Sequence, residues 1–215
     1  INVPFNGGLR EYHLNILSAW DTHATQRGGG IINVGPGRGK TVMAIKKITE
    51  LGLKTLILVH NTDLLDQWKE RIEQYAPTAR VGIIQAKKLS VMNKDIVIGM
   101  IQSISNPAKD KEYPAEMFRE FGLLIVDECH HIAARMFSRC LRKTCLKYTM
   151  GLSATPDRND GLTRVLKYYL GDICYKDDSI QKTAAERELD HIPDADVRIY
   201  QYYNIARTYS EVMLN

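Results

Sequence analysis

Three observations predict an α/β fold, a mostly parallel sheet with helices on both faces. Short apolar runs alternate with amphipathic stretches along most of the 215 residues, the pattern of a strand–helix repeat. One run opens into a glycine-rich turn followed by helix-forming sequence, Gly30-Ile-Ile-Asn-Val-Gly-Pro-Gly-Arg-Gly-Lys-Thr41. Another, Leu123-Leu-Ile-Val126, ends in the carboxylates of Asp127 and Glu128. Four large apolar residues without alternation read as a strand buried on both faces of a parallel sheet.

Taken in order, Leu9, Tyr12, Ile16, Leu17 and Trp20 fall at helical spacing, so residues 9–20 are predicted as an amphipathic helix. Gln26 to Gly30 reads as a flexible turn into a strand carrying Ile31, Ile32 and Val34. A helix should run from Lys40 to about Leu51, with Gly52 as its cap. Thr55–His60 is the next buried strand, and Asn61 or Thr62 caps a helix bearing Leu64, Leu65, Trp68 and Ile72, closed by Pro77. Arg80–Gln85 is a short strand, Lys87 to Lys94 a polar loop, and Asp95–Gly99 a strand leading into Met100–Ile104. Residues 105–113 read as a surface loop, Ala115–Glu120 as a short helix and 121–126 as a strand. A helix is expected over Ile132–Leu146, a strand over Tyr148–Leu152 and a helix over Leu162–Leu170. The domain is therefore expected to occupy 1–175. Residues 176–196 are polar and net acidic and read as a linker. Residues 197–215 read as the start of a truncated second region, and the missing initial Met and abrupt end suggest a piece of something longer.

Composition is that of an ordinary globular chain, 44% hydrophobic and 25% charged. Net charge is +4 with a pI near 8.8, compatible with a nucleic-acid partner without requiring one. Cys129, Cys140, Cys145 and Cys174 form no C-x-x-C pair, which favours free thiols in a reducing compartment, nucleus or cytoplasm, over disulfides or zinc. No apolar run approaches about 18 residues and the amino terminus is not a secretory signal, so neither membrane insertion nor secretion is expected.

The two strand ends carry the chemistry. Gly35, Gly37 and Gly39 allow successive backbone N–H groups to face an anion, with Pro36 and Arg38 completing the loop. The helix starting at Lys40 adds its positive end. Lys40 would reach the β- and γ-phosphates of a nucleoside triphosphate, and the Thr41 hydroxyl would sit on Mg²⁺. The usual G-x-x-x-x-G-K-[ST] pattern has Gly where this chain has Val34. The bland alternative for this stretch is a glycine-rich turn before a helix. Asp127 would hold Mg²⁺ opposite Thr41, and Glu128 would orient or deprotonate a water; for these two the alternative is a strand-end turn with solvated acids.

As an ordered set, the phosphate loop, Asp127-Glu-Cys-His130 and Ser153-Ala-Thr155 resemble the first motor lobe of superfamily-two helicases, which has a RecA-like P-loop NTPase fold. Arg10-Glu-Tyr-His13 is similar to the adenine-side R-x-Y-Q motif, with His13 in place of Gln. His60-Asn-Thr-Asp-Leu-Leu-Asp-Gln-Trp68 is similar to the P-T-R-E-L-x-x-Q motif, and Ile101-Gln-Ser103 to a later motif. Gly151 to Arg158, with Gly161-Leu, resembles the XPB-type branch, which includes helicases of large DNA viruses. The resemblance implies that Arg10, His13 and residues 35–41 bind ATP with Mg²⁺, held by Thr41 and Asp127, and that Lys40, Asp127 and Glu128 are catalytic. It further implies that Asn61, Gln67, Gln102, Ser103, His130, Ser153, Thr155 and Arg158 contact nucleic acid or couple it to hydrolysis, with DNA preferred to RNA. Trp68 and Tyr12 read as core. A second RecA-like lobe is implied but no Q-x-x-G-R-x-x-R motif is present, so the chain is expected to bind Mg-ATP, hydrolyse it slowly and unwind nothing alone. Oligomeric state is not legible. Competing readings are a different P-loop NTPase, such as a small-molecule kinase or transporter ATPase, the motor subunit of a restriction enzyme, and a non-catalytic scaffold.

Overall fold

The computed structural model describes residues 1–105, 113, 115–129, 134–142, 144, 146–154 and 162–177. Its strands are β1 Gly29–Asn33, β2 Thr55–Val59, β3 Val81–Gln85, β4 Lys88–Leu89, β5 Ile96–Met100, β6 Leu123–Val126, β7 Tyr148–Ser153 and β8 Ile173–Lys176. They form one sheet in the order β4-β3-β5-β2-β6-β7-β1-β8. Every pairing is parallel except β3 with β4. The helices are α1 Glu11–Arg27, α2 Lys40–Leu51, α3 Thr62–Tyr75, α4 Ile101–Ser105, α5 Ala134–Leu141 and α6 Leu162–Leu170, with a 3₁₀ turn over Ala115–Phe118. The predicted α/β sheet with helices on both faces is what the structure has, and it forms one compact unit over Ile1–Asp177.

Successive strand residues serve opposite faces. Ile57 and Val59 of β2 join Ile16, Trp20, Met43, Ile45, Leu65 and Trp68 in a core beneath α1, α2 and α3. Leu56 and Leu58 join Ile101, Phe137, Leu166 and Leu170 in a second core beneath α4, α5 and α6. Burying side chains of this size contributes about 1.5–3 kcal/mol each, so both faces of the central strands are worth keeping dry. That explains why the strand sequences lack alternation. The chain leaves β1 and β2 for the first face and β6 and β7 for the second. The crossovers thus change face between the neighbours β7 and β1 and again between β2 and β6, and the carboxyl edge at such changes is where open α/β sheets bind ligands.

Several boundaries differ from expectation. α1 runs on to Arg27, where Gly28 caps it through its N–H to Ala24 C=O at 3.0 Å. The expected turn at 26–30 is thus half helix and half strand, since β1 already begins at Gly29. The expected loop after Gln85 contains β4, a two-residue antiparallel return on β3. The helix expected over 132–146 is described over Ala134–Leu141; Thr144 closes it by bonding back to Leu141 C=O (backbone) and Cys140 C=O (hydroxyl). β8 was not anticipated at all, because only two of its four residues are strongly apolar and its partner β1 lies far away in sequence. The expected linker and trailing segment lie, beyond Asp177, outside the described residues. Among the described residues no helix is long and apolar enough to cross a membrane. Among the described residues Cys129, Cys140 and Cys174 are thiols, not joined in disulfides; Cys145 lies outside the described residues.

Candidate active site

The phosphate loop spans the end of β1 and the start of α2. Gly39 is the residue before α2 and has φ +77°; Gly37 has φ +74°. A Cβ on Gly39 would stand 2.6 Å from His13 Nε2, whereas nothing lies within 4 Å of one on Gly37. One glycine is thus needed for a close approach, and the other leaves its side of the loop open. Arg38, between them, points to the α1 flank. Its Nε donates to Asp177 Oδ2 at 3.0 Å, and its guanidinium lies 4.6 Å from the Tyr12 ring centroid.

His13 fastens the same flank. Its Nδ1 accepts the Arg10 backbone N–H at 3.2 Å, so the ring proton sits on Nε2, which donates to Arg38 C=O at 3.1 Å. Burial holds its pKa below the usual histidine value; the carbonyl bond pulls the other way, and the Arg10 and Arg38 charges add to the lowering. Both ring nitrogens are spent on α1 and the loop. His13 therefore tethers the loop in this structure and presents no free nitrogen to a base. Arg10 precedes α1, its Nη1 at 3.4 Å from Tyr12 Oη.

On the other flank, Lys40 Nζ donates to Val34 C=O at 3.2 Å and lies 3.3 Å from Glu128 Oε1. Glu128 has φ +44°, a left-handed conformation for a residue with a side chain. Its N–H donates to Asp127 Oδ1 at 3.0 Å. Asp127 Oδ2 accepts the Trp68 indole N–H at 2.7 Å. Burial pushes the Asp127 carboxyl above the usual carboxylate range, with the Trp68 bond opposing. Cys129, next along, is a fully buried thiol pushed up to about 12 by burial, so it is core and no nucleophile.

A cavity of about 410 Å³ opens over these groups, lined by the loop, Lys40, Thr41, Asp127 and Glu128. Four α3 residues complete its wall: Leu64, Gln67, Arg71 and Tyr75. Gln67, grouped by sequence with the nucleic-acid contacts, thus lies in the phosphate cavity; α3 packs beside α2 and turns this stripe toward it. Asn61 caps α3, its Oδ1 accepting Leu64 N–H at 2.8 Å. Gln102 donates to His60 C=O, and Ser103 Oγ accepts Ala86 N–H at 2.8 Å, placing all three at the carboxyl ends of β2 and β5. Ser153 ends β7, wholly buried, its carbonyl accepting Val34 N–H at 3.0 Å. His130, Thr155 and Arg158 lie outside the described residues.

Besides Arg71 and Tyr75 of the cavity wall, three residues at the site escaped the sequence. Trp68 read as core. The Asn33 amide, oriented by the acceptors around it, donates to Ser153 and Ala154 C=O at 3.2 and 3.0 Å, joining the β1 and β7 ends. Asp177 follows β8 and its partner Arg38 is 139 residues away, a separation no local pattern reveals.

Strand order and site together define a phosphate-loop domain of the RecA-like kind. Residues 6–158 match the family described as type III restriction enzyme, res subunit, and the chain belongs to that family. The superfamily-two resemblance, with XPB-type and large-virus relatives, is borne out. The chain is 34% identical over 174 residues to a protein of Acanthamoeba polyphaga mimivirus whose name, ATP-dependent RNA helicase L396, is itself provisional; the match covers 81% of this chain and 33% of that one. It is also 34% identical over 168 residues to the DNA 3'-5' translocase XPB2 of Sulfurisphaera tokodaii, covering 78% and 35%. The chain thus spans about a third of the length of these relatives. In fold it is similar to the Sulfolobus solfataricus SWI2/SNF2 ATPase core solved with double-stranded DNA, at TM-score 0.60 and 19% identity, covering 80% of this chain and 37% of that one.

Proposed function

We propose that this chain is the ATP-binding first lobe of a helicase-type motor that couples ATP hydrolysis to movement along nucleic acid, DNA in preference to RNA. The observation that carries this is the cavity at the sheet's carboxyl edge, which gathers Lys40, Thr41, Asp127 and Glu128 around the open phosphate loop. In this reading the loop N–H groups and Lys40 cradle the phosphates. Lys40, now beside Glu128 at 3.3 Å, turns to them and leaves Glu128 to accept a proton from the attacking water. Asn33 ties the phosphate strand to the Ser153 turn, so a shift at one is felt at the other.

Magnesium fits this site. The Thr41 hydroxyl and Asp127 carboxylate line one cavity, and Mg²⁺ takes one or two protein oxygens alongside phosphate and water. Among the described residues no group of three or more His, Cys, Asp or Glu could hold a metal ion, consistent with a shared rather than an all-protein site. When bound, Mg²⁺ would neutralise charge on the phosphates.

In the same reading, the motor lobe runs through β8 to Asp177, two residues past the expected 1–175, with the linker following it to 196 and 197–215 the start of the next region. A second RecA-like lobe supplies the arginines worth roughly 10³–10⁵ in rate in other nucleotide hydrolases, so this chain alone turns ATP over slowly. Asn61, Gln102 and Ser103 at the β2 and β5 ends would meet the nucleic-acid backbone, with His130, Ser153, Thr155 and Arg158 coupling it to the nucleotide. The mimivirus relative is named for RNA and the archaeal one for DNA; the DNA-bound SWI2/SNF2 fold adds weight to DNA. The family's own description favours a second reading, the motor subunit of a restriction enzyme, which would use the same lobe in the same way. The protein would work in a reducing, intracellular compartment.

The test is Mg-ATP binding by this chain beside Lys40→Ala, with and without duplex DNA or RNA. Lys40→Ala should bind at least about tenfold more weakly, the size of a lost charge-assisted contact, and DNA should shift wild-type binding more than RNA. Equal binding by the two proteins would overturn the reading.

A further inference from the structure

Asp127 is held by two N–H donors, one on each oxygen. The Glu128 backbone donates to Oδ1 at 3.0 Å, and Trp68 Nε1 donates to Oδ2 at 2.7 Å. The first is local, between neighbouring residues, at a turn where Glu128 is held at φ +44°, a conformation kept only where the surroundings enforce it. The second is set by packing. Trp68 has no exposed surface and sits in the core under α3, between the buried turns of Leu65 and Ile72. Its ring therefore cannot swing to follow the carboxylate, and the carboxylate must come to the ring.

An indole N–H donates and never accepts. With the indole on Oδ2 and the Glu128 N–H on Oδ1, each Asp127 oxygen keeps a further lone pair and the carboxylate plane is fixed. Trp20 supplies an internal contrast. It is equally buried in the same core, but its N–H goes to the Thr149 carbonyl at 3.1 Å, inside the sheet and away from the cavity.

We propose that Trp68 is a positioning residue for the hydrolytic site, its indole N–H holding the Asp127 carboxylate in the one orientation that engages the metal–nucleotide complex. The proposal rests on reading the cavity as an Mg-ATP site. Partners that orient a metal-binding carboxylate typically change metal affinity 10–100-fold when removed.

The experiment follows binding of a fluorescent ATP analogue to the 215-residue chain by anisotropy, in EDTA and across a Mg²⁺ titration, for wild type, Trp68→Phe, Trp20→Phe and Lys40→Ala. Trp68→Phe should raise the Mg²⁺ concentration for half-maximal effect about 10–100-fold and leave metal-free affinity unchanged. Trp20→Phe opens a similar space in the same core and should leave the Mg²⁺ requirement alone. An unchanged Mg²⁺ requirement in Trp68→Phe, or an equal change in Trp20→Phe, overturns the proposal while leaving the nucleotide site standing. Equal binding by wild type and Lys40→Ala removes the nucleotide site, and the proposal with it.

A second measurement does not depend on Trp68→Phe folding. The chain has two tryptophans, so its ¹H–¹⁵N spectrum has two indole N–H signals, assigned through Trp20→Phe. Asp127→Asn should move the Trp68 signal and spare that of Trp20. Mg²⁺ added with nucleotide should move the same signal. A Trp68 signal indifferent to Asp127→Asn overturns the proposal.

Discussion

The two flanks of the phosphate loop are held by different physics. On the α1 flank, Arg10 (exposed), Tyr12 and Arg38 (half-buried) and His13 and Asp177 (buried) meet through polar and ring contacts, drawn from the start of α1, the loop and the residue after β8. On the acid flank, Asp127 and Glu128 stand on a strand buried on both faces, and Asp127 is tied to a tryptophan with no exposed surface. The first flank can be loosened by a surface substitution or a proton. The second can be disturbed only through the core or the site itself. Asp127, the carboxylate proposed to hold the metal, is thus the better anchored, as a reaction needing sub-ångström placement would require.

Glu128→Gln probes the acid flank with the largest expected effect. It keeps the shape and removes the base, so nucleic-acid-stimulated ATP turnover of the full-length protein should fall about 10²–10⁴-fold. It also releases Lys40 from its carboxylate neighbour, so nucleotide affinity of this chain should hold or rise. Unchanged turnover would move the chemistry off this flank and undo the comparison. Gly39→Ala strikes where the loop meets α1. A side chain at φ +77° costs about 1–2 kcal/mol, and here the added methyl also drives into His13. At about 2–4 °C per kcal/mol for a chain of this size, the melting temperature should drop by several degrees and nucleotide binding should weaken. Gly37→Ala carries similar strain into open space. The difference between the two variants measures the His13 tether alone; equal losses would mean that the tether contributes nothing.

How much of this was legible follows the same division. The β1 and β6 ends declare themselves in sequence because their side chains are consecutive: Gly37 to Thr41 along one turn, Asp127 and Glu128 along another. Parallel strands buried on both faces announce themselves as unbroken apolar runs, so the sheet was readable. Contacts across long separations were not. Trp68 lies 59 residues from Asp127, and Arg38 lies 139 from Asp177. A core tryptophan that donates to a cavity carboxylate has the same helical spacing as one that does not, as Trp20 demonstrates. β8 was missed for a related reason: Ile173-Cys-Tyr-Lys176 is strand only because β1 offers it an edge. Gln67 was grouped with the residues before it because they are adjacent in sequence, whereas the turn of α3 carries it from the strand-end edge to the cavity.

The smallest expected effect tests the α1 flank by pH. His13 accepts a backbone N–H at Nδ1 and donates from Nε2, so protonation would put a donor against a donor. Burial, with Arg10 and Arg38 nearby, holds its pKa below 6.5 in the folded chain, while the unfolded chain keeps the ordinary value. Above pH 6.5 both states are neutral there and His13 contributes no slope. As pH falls through 6.5 the unfolded state takes up the proton first, so stability declines until the folded pKa is reached. The slope stays below about 1.4 kcal/mol per pH unit, the limit for one proton. Urea unfolding of wild type and His13→Gln between pH 7.5 and 5.5 isolates it, because glutamine removes the titration and retains a donor and an acceptor. Wild type should lose stability faster than His13→Gln on acidification, and nucleotide affinity should fall with it as the loop comes free of α1. Parallel pH profiles would mean that the ring gives way without cost, and that the loop is anchored from the acid flank alone.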